Sequence, residues 1–330
     1  MKDIGLIKIF SKRSGGNIYK DQVLHALSGD FNAESVNLEG TSRSKYPKGL
    51  QSFWNLFMLQ GAKDAWIRDF YSTVFLRQRR TPGKHIALIF HVDFSEFPVL
   101  SRPVFTLLEK LFFFKQLKKA DGIVTISEYW KQYFLDRGYH NVHKIYCGFS
   151  LPDFESNEEE IANFKKKYNL GQKPIVYIGN CQKAKGAVEA YSALKGLGAH
   201  LVTSGAKTVD IPALNFNGSY REYLTLLKAC DVAVTMSKFK EGWCMTAHEA
   251  MLCKKPVIGS GMGGMKELLE GGGQMICPDF KELRKKVEYL LNNPQERQKM
   301  GEKGYEYAKD FTLERFKKEW TNIITSVLQT

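Results

Sequence analysis

No stretch of this 330-residue chain reaches the ~18 uninterrupted apolar residues that a membrane-crossing helix needs. The opening residues, MKDIGLIKIFSKR, hold too short an apolar run for a secretion signal. The six cysteines (Cys147, Cys181, Cys230, Cys244, Cys253 and Cys277) form neither Cys-x-x-Cys pairs nor a disulfide rhythm. That usage fits reduced thiols in a cytoplasmic chain. Internal repeats and low-complexity tracts are missing, and no RNA or DNA motif accompanies the basic charge, so nucleic acid is not an expected partner.

What is present is a folded composition, 43% hydrophobic and 25% charged, in a chain long enough for two domains. The net charge is +13, from 48 basic and 35 acidic residues. Residues 1–150 carry 22 Lys and Arg against 13 Asp and Glu, whereas residues 151–330 carry 26 against 22. The excess therefore lies in the first half, which points to an anionic surface or a phosphate-bearing ligand there.

The most informative stretch is 230–267, CDVAVTMSKFKEGWCMTAHEAMLCKKPVIGSGMGGMKE. It reads as a strand (232–236), a loop with Glu241 and Gly242, a helix carrying Glu249, a second strand (256–258) and a glycine-rich turn. Two carboxylates thus stand near the carboxyl end of a parallel strand, where ligands bind in open α/β sheets. Glu241 and Glu249 are eight apart, framed as E-G-W-C-x4-E-A-M and followed by C-K-K-P-V-I. This resembles the E-x7-E signature of retaining glycosyltransferases of the GT-B fold, family four in particular.

The rest of the chain alternates strands and helices. Residues 4–10 read as a buried first strand, with Gly15 and Gly16 at the corner into a helix, where a ligand or another backbone can approach. Residues 85–92 are a second clear strand, ending at His91 with Asp93 and Glu96 beyond it. Residues 41–90 combine nine Lys and Arg with large side chains such as Tyr46, Trp54 and Trp66. The segment 102–120 is helical by the spacing of Val104, Leu107, Leu108, Leu111 and Phe114. Phe105, Phe112 and Phe113 widen that stripe, and Lys110, Lys115, Lys118 and Lys119 line the remainder. Trp54, Phe105, Phe112, Phe113, Lys115, Lys118 and Lys119 are accordingly candidate contacts to an anionic membrane interface. Core helices of a first domain would carry similar residues. Strands at 123–126 and 145–147 close the first half, and 148–157 has linker character. The α/β rhythm then restarts with a strand at 174–178 and a loop from Gly179 to Gly186.

The resemblance implies an α/β GT-B fold, two Rossmann-like domains facing a central cleft. Residues 1–155 would form the acceptor and membrane-facing domain, with the helix at about 311–330 packing back on it, and 156–310 the donor domain. It further implies that His91 and the first glutamate, Glu241, act at the reacting sugar. Gly15, Gly16, Asn180, Lys185, Gly242, Trp243, Cys244, Met245, Thr246 and Glu249 would line the donor, with Glu249 on the ribose hydroxyls. The implied activity is transfer of a hexose from a nucleoside-diphosphate sugar to a lipid-linked or membrane-surface glycan, by an enzyme peripheral on the cytoplasmic face. No Asp-x-Asp pair occurs, so a metal-free site without a cofactor is expected. Two departures stand out. Asn180 occupies the place where the family usually has arginine, and Gly242-Trp243-Cys244 replaces the common Gly-Phe-Gly. The loss of that arginine leaves a nucleotide-sugar binding protein as the alternative, or a related epimerase. A phosphorylase would need a pyridoxal-binding lysine context that the sequence does not offer.

Overall fold

Ile4, Leu6 and Ile7 have no exposed surface, so the first strand, β1 (Asp3–Lys8), is buried on both faces, as parallel strands are. A computed structural model describes residues 1–11, 14–41, 47–95, 100 and 102–330. The chain divides into two compact units, Met1–Gly148 with Leu313–Thr330, and Phe149–Thr312.

In the first unit β1 leads into α1 (Gly15–Leu27), whose first amides are met by Ser14, its Oγ accepting from the Asn17 N–H. There follow β2 (Asn32–Asn37), α2 (Lys48–Met58), β3 (Ala65–Arg68), α3 (Phe70–Val74) and β4 (Lys84–Ile89). Next come α4 (Arg102–Leu108), a π-helical turn (Glu109–Phe113) and α5 (Phe114–Leu117). The unit continues through β5 (Gly122–Thr125), α6 (Glu128–Leu135) and β6 (Val142–Lys144). The sheet is parallel throughout, in the order β2-β1-β3-β4-β5-β6. One face is packed by Phe70, Ile89, Phe113, Trp130 and Phe134. The last helix, Leu313–Gln329, belongs to this unit, and there the Trp320 indole N–H donates to the Tyr19 hydroxyl at 3.2 Å.

The second unit opens with a 3-10 turn (Leu151–Phe154), α7 (Glu158–Lys167), β7 (Ile175–Asn180) and α8 (Ala187–Leu194). Then come β8 (His200–Ser204), β9 (Leu214–Phe216), α9 (Tyr220–Ala229), β10 (Val232–Thr235) and α10 (Met245–Leu252). The unit ends with β11 (Val257–Gly259), α11 (Met265–Gly271), β12 (Met275–Ile276), α12 (Phe280–Asn292) and α13 (Pro294–Ala308). Its six strands are also parallel, in the order β12-β11-β10-β7-β8-β9. β7 and β10 are therefore neighbours at the centre of the sheet. The loops after them emerge side by side at their carboxyl ends.

Three sequence expectations need correction. The strand expected at 145–147 lies three residues earlier, as β6, although the Ile145 N–H still donates to the Thr125 carbonyl at 2.9 Å. The helix over 102–120 forms, but the π-turn adds a residue to one turn and shifts the inward face. That face runs through Phe105, Glu109, Phe113 and Leu117, while Val104, Leu107 and Leu111 stay 57%, 55% and 54% exposed. Phe113, expected at a membrane interface, is fully buried against Phe70, with ring centroids 4.5 Å apart. Phe105 likewise stacks on Phe94 rather than facing outward, whereas Phe112 and Trp54 are exposed. The readings of Tyr46 and Glu96 fall outside the described residues.

Candidate active site

The two glutamates and the lysine are brought into one unit by β7, β10 and β11. β7 ends at Asn180, and the chain turns through Lys185 and Gly186 into α8. Gly186 sits at φ 71°, a left-handed conformation, and a side chain there would run into the Met236 carbonyl just past β10. That close approach sets Lys185 beside the loop following β10. Lys185 Nζ reaches Glu241 Oε1 at 2.6 Å and lies 4.7 Å from the Phe239 ring centroid.

Glu241 is almost entirely buried, and the Ser237 hydroxyl donates to the same carboxylate oxygen. Its backbone is held by the glycine-rich turn after β11. The Glu241 N–H donates to the Met262 carbonyl at 3.2 Å, and the Gly264 N–H to the Glu241 carbonyl at 2.9 Å. Gly263 pairs with Glu241 at φ 67°, leaving no room for a side chain. The glycine-rich turn that closes the 230–267 stretch is what holds the Glu241 backbone in place.

Gly242 and Trp243 follow, and α10 starts at Met245 with Cys244 as its cap residue. Cys244 offers a thiol where serine, threonine or aspartate usually cap a helix. Burial, with the Glu241 charge beside it, pushes that thiol up to about 12, so it stays protonated. Met245 and Thr246 are half-buried at the first turn, where backbone N–H groups make a natural anion seat.

Trp243 is buried and turned into the unit. Its indole N–H donates to His248 Nδ1 at 3.1 Å, and His248 Nε2 lies 3.1 Å from the Ala308 carbonyl. Because Nδ1 accepts from the indole, the proton of the neutral ring sits on Nε2 and donates to Ala308. Burial lowers the imidazole to about 3, so the ring is neutral at ordinary pH.

Glu249 lies one helical turn further on, on the same α10. It too is buried, and both its oxygens accept phenol protons: Tyr220 at 3.0 Å and Tyr223 at 2.8 Å. Asn180 is half-buried, its amide donating to Ser204 Oγ at 3.3 Å, and Ser204 also bonds the Tyr177 hydroxyl at 2.7 Å. Sequence reasoning did not single out Tyr220, Tyr223, Ser237 or His248. The three-residue spacing of the tyrosines on a helix leading into the motif was the available signal.

The remaining candidates lie in the first unit. Gly15 and Gly16 form the first turn of α1, and a side chain at Gly16 would press on the Phe90 ring. His91 is half-buried, its ring 6.5 Å from that of Trp130. Among the described residues, no group of three or more His, Cys, Asp or Glu side chains is gathered to hold a metal ion.

Residues 158–307 match the family model of glycosyl transferases group 1. The chain is similar to that family over this stretch, a little under half of its length. The matched region contains all of the Lys185, Glu241 and Glu249 cluster. An uncharacterised glycosyltransferase from Methanocaldococcus jannaschii is 26% identical over 221 residues, 62% of this chain and 59% of that protein. Trehalose synthase from Pyrococcus horikoshii is 35% identical over 109 residues, 32% of this chain. The matched part thus spans less than two thirds of either relative, and only 26% of the second. Among solved structures, sucrose-phosphate synthase from Thermosynechococcus elongatus superposes with TM-score 0.80 at 18% identity, over 99% of each chain. HepE from Anabaena, solved with UDP-glucose, superposes with TM-score 0.76 at 14% identity, over 99% of this chain and 100% of that one. These likenesses establish the GT-B fold, two parallel α/β sheets of six strands each. The matched stretch also contains Asn180, which stands where the resemblance implies an arginine.

Proposed function

We propose that the chain is a retaining glycosyltransferase that moves a sugar from a nucleoside-diphosphate sugar to a lipid-linked or membrane-surface glycan. The observation that carries this reading is the Lys185–Glu241 pair at the mouth of the loop opening α10. Transfer needs the bond between the anomeric carbon and the phosphate oxygen to loosen, building positive charge on the sugar and negative charge on the leaving diphosphate. Lys185 and the amides at the start of α10 stabilise the diphosphate. Glu241, held rigidly by Ser237 and the glycine-rich turn, faces the sugar, and Glu249 takes the ribose. The acceptor hydroxyl forms its bond to the anomeric carbon on the face that the diphosphate leaves. Its proton passes to the departing phosphate oxygen, so the products are the glycoside and the nucleoside diphosphate. The likeness to HepE with UDP-glucose makes UDP-sugars the first donors to try.

What supports a membrane-surface acceptor is the outer side of the first unit. Val104, Leu107, Leu111 and Phe112 leave an apolar stripe exposed, with Lys110, Lys115, Lys118 and Lys119 exposed around it. Trp54, 63% exposed on α2, adds a ring suited to the headgroup region. No helix among the described residues is long and apolar enough to cross a membrane, and the attachment proposed is a peripheral one.

A binding protein without transfer activity is the second reading, favoured by Asn180. The unit's three arginines, Arg221, Arg284 and Arg297, are paired with Glu160, Glu288 and Asp231, so none substitutes as a diphosphate clamp through those contacts. Incubation with radiolabelled UDP- and GDP-sugars and a membrane lipid extract separates the two. Wild type should label a lipid-extractable product from one donor, and Glu241→Ala should lower that labelling at least about a hundredfold with folding intact. A donor that binds yet is neither transferred nor hydrolysed would leave only the binding reading.

A further inference from the structure

The second unit holds a cavity at the opposite end of its sheet from the glutamates. It measures about 770 Å³ and lies where the chain reverses from α7 into β7. Its lining includes Lys165, Lys166, Asn169, Gln172, Lys173 and Asp231. The six residues of β7, roughly 17 Å of extended chain, separate it from the Asn180 loop. Its size falls among small-molecule sites, which run from about 300 to 1,000 Å³.

Unanswered positive charge sets this cavity apart. Among the described residues none of Lys165, Lys166 and Lys173 has an ion-pair partner, whereas the adjacent Lys167 meets Glu222 at 3.1 Å. Asp231, the acidic residue of the lining, is already engaged. Its Oδ2 accepts the Ile175 N–H at 2.9 Å, and its Oδ1 lies 3.5 Å from Arg297. Burial pushes the thiol of Cys230, the neighbour of Asp231, up to about 12, against the nearby charges of Lys255 and Lys165. Lys255 thus adds a fourth cation to this end of the sheet. Lysines in the last turn of a helix ordinarily answer the negative end of its dipole. That accounts for Lys165 and Lys166 but not for Lys173, which lies past the reversal. The last carbonyls of α7 are themselves engaged, Phe164 by the Tyr168 N–H at 3.1 Å and Lys165 by the Leu170 N–H at 2.8 Å. The reversal is also strained. Asn169 and Gln172 sit in the left-handed region, at φ 52° and 31°, while Gly171 between them does not. Glutamine is an uncommon choice there, and strain of this kind gathers at ligand clamps and switch regions.

We infer that this cavity is a second ligand site, for a small soluble compound carrying a diphosphate or longer phosphate chain, held by Lys165, Lys166 and Lys173. Ammonium groups recognise phosphate as point charges, and several of them around one cavity suit an anion whose charge is spread along a chain.

The test uses the full chain with tripolyphosphate as the probe. Calorimetric titration gives its Kd, and lysine acetylation with and without the probe, mapped by peptide mass spectrometry, shows where it sits. At about ten times the Kd, acetylation of Lys165, Lys166 and Lys173 should slow roughly tenfold, with exposed Lys195 and Lys285 unchanged. Lys166→Gln with Lys173→Gln, both at exposed positions, should melt like wild type and need at least about tenfold more probe to protect Lys165. Citrate, an anion without phosphate, should bind wild type at least about tenfold more weakly than tripolyphosphate. Protection confined to Lys185, protection spread evenly over all exposed lysines, or citrate bound as tightly would each overturn the inference. So would unchanged protection of Lys165 in the double variant, or a wild type that binds no tripolyphosphate.

Discussion

Lys185 and Glu241 hold each other at 2.6 Å with only 28% and 7% of their side chains exposed, so each group's charge is met before any ligand arrives. Removing one partner strands the other, which is why a variant at either position should be checked for folding before its activity is read. The buried imidazoles make a cleaner statement about pH. His248 in the second unit is lowered to about 3 by burial, and His85 in the first to about 4 by burial with Arg68 beside it. Unfolded, both would titrate near the ordinary imidazole value of 6.5. Between about 6.5 and about 4 the unfolded chain therefore takes up protons that the folded chain refuses. The stability these rings confer is full above the unfolded value and is lost as the pH falls. Each should account for on the order of 1–2 kcal/mol lost on going from neutral pH to about pH 5. Denaturant titrations at pH 7.5, 6 and 5 check this, and a midpoint that holds or rises toward pH 5 would contradict it.

At the scale of elements, the parallel strands were the most legible part of the chain. β1, β4, β7 and β10 are continuous apolar runs because helices cover both faces, and each shows in the sequence without alternation. β2, NAESVN, was not legible, because as the edge strand it carries exposed polar residues. The helix over 102–117 was legible as a helix but not in its facing. A π-turn is set by packing around Phe113, and no spacing rule for regular helices announces it. Phe113 and Leu117 are buried, while Leu107 and Leu111, which the apolar spacing assigned to an inward stripe, are exposed. The membrane surface proposed here is therefore testable at those positions. Wild type should float with vesicles containing phosphatidylserine, where each basic side chain near the surface is worth about 1 kcal/mol. Leu107→Glu with Leu111→Glu should lose most of that flotation while melting like wild type. Unchanged flotation by the double variant would remove this stripe from the interface.

At the scale of the molecule, the site was half legible. Glu241 and Glu249 announced themselves by spacing and Lys185 by its glycine neighbours, since each lies in a loop or on a helix start that local sequence defines. The partners that hold them did not. Ser237 is four residues from Glu241 in the same loop, but Tyr220, Tyr223 and the Gly263 turn reach the glutamates because β10 lies between β7 and β11, with α9 leading into it. Such contacts are set by the order of strands in the sheet, which a reading along the chain does not contain. The central claim is that this constellation seats a nucleoside diphosphate, and a crystal structure of the full chain grown with its preferred UDP- or GDP-sugar tests it most directly. The account predicts the diphosphate within hydrogen-bonding distance of Lys185 Nζ and the amides opening α10, with the ribose on Glu249. A nucleotide seated anywhere else, or one that leaves Lys185 and Glu249 untouched, would contradict it.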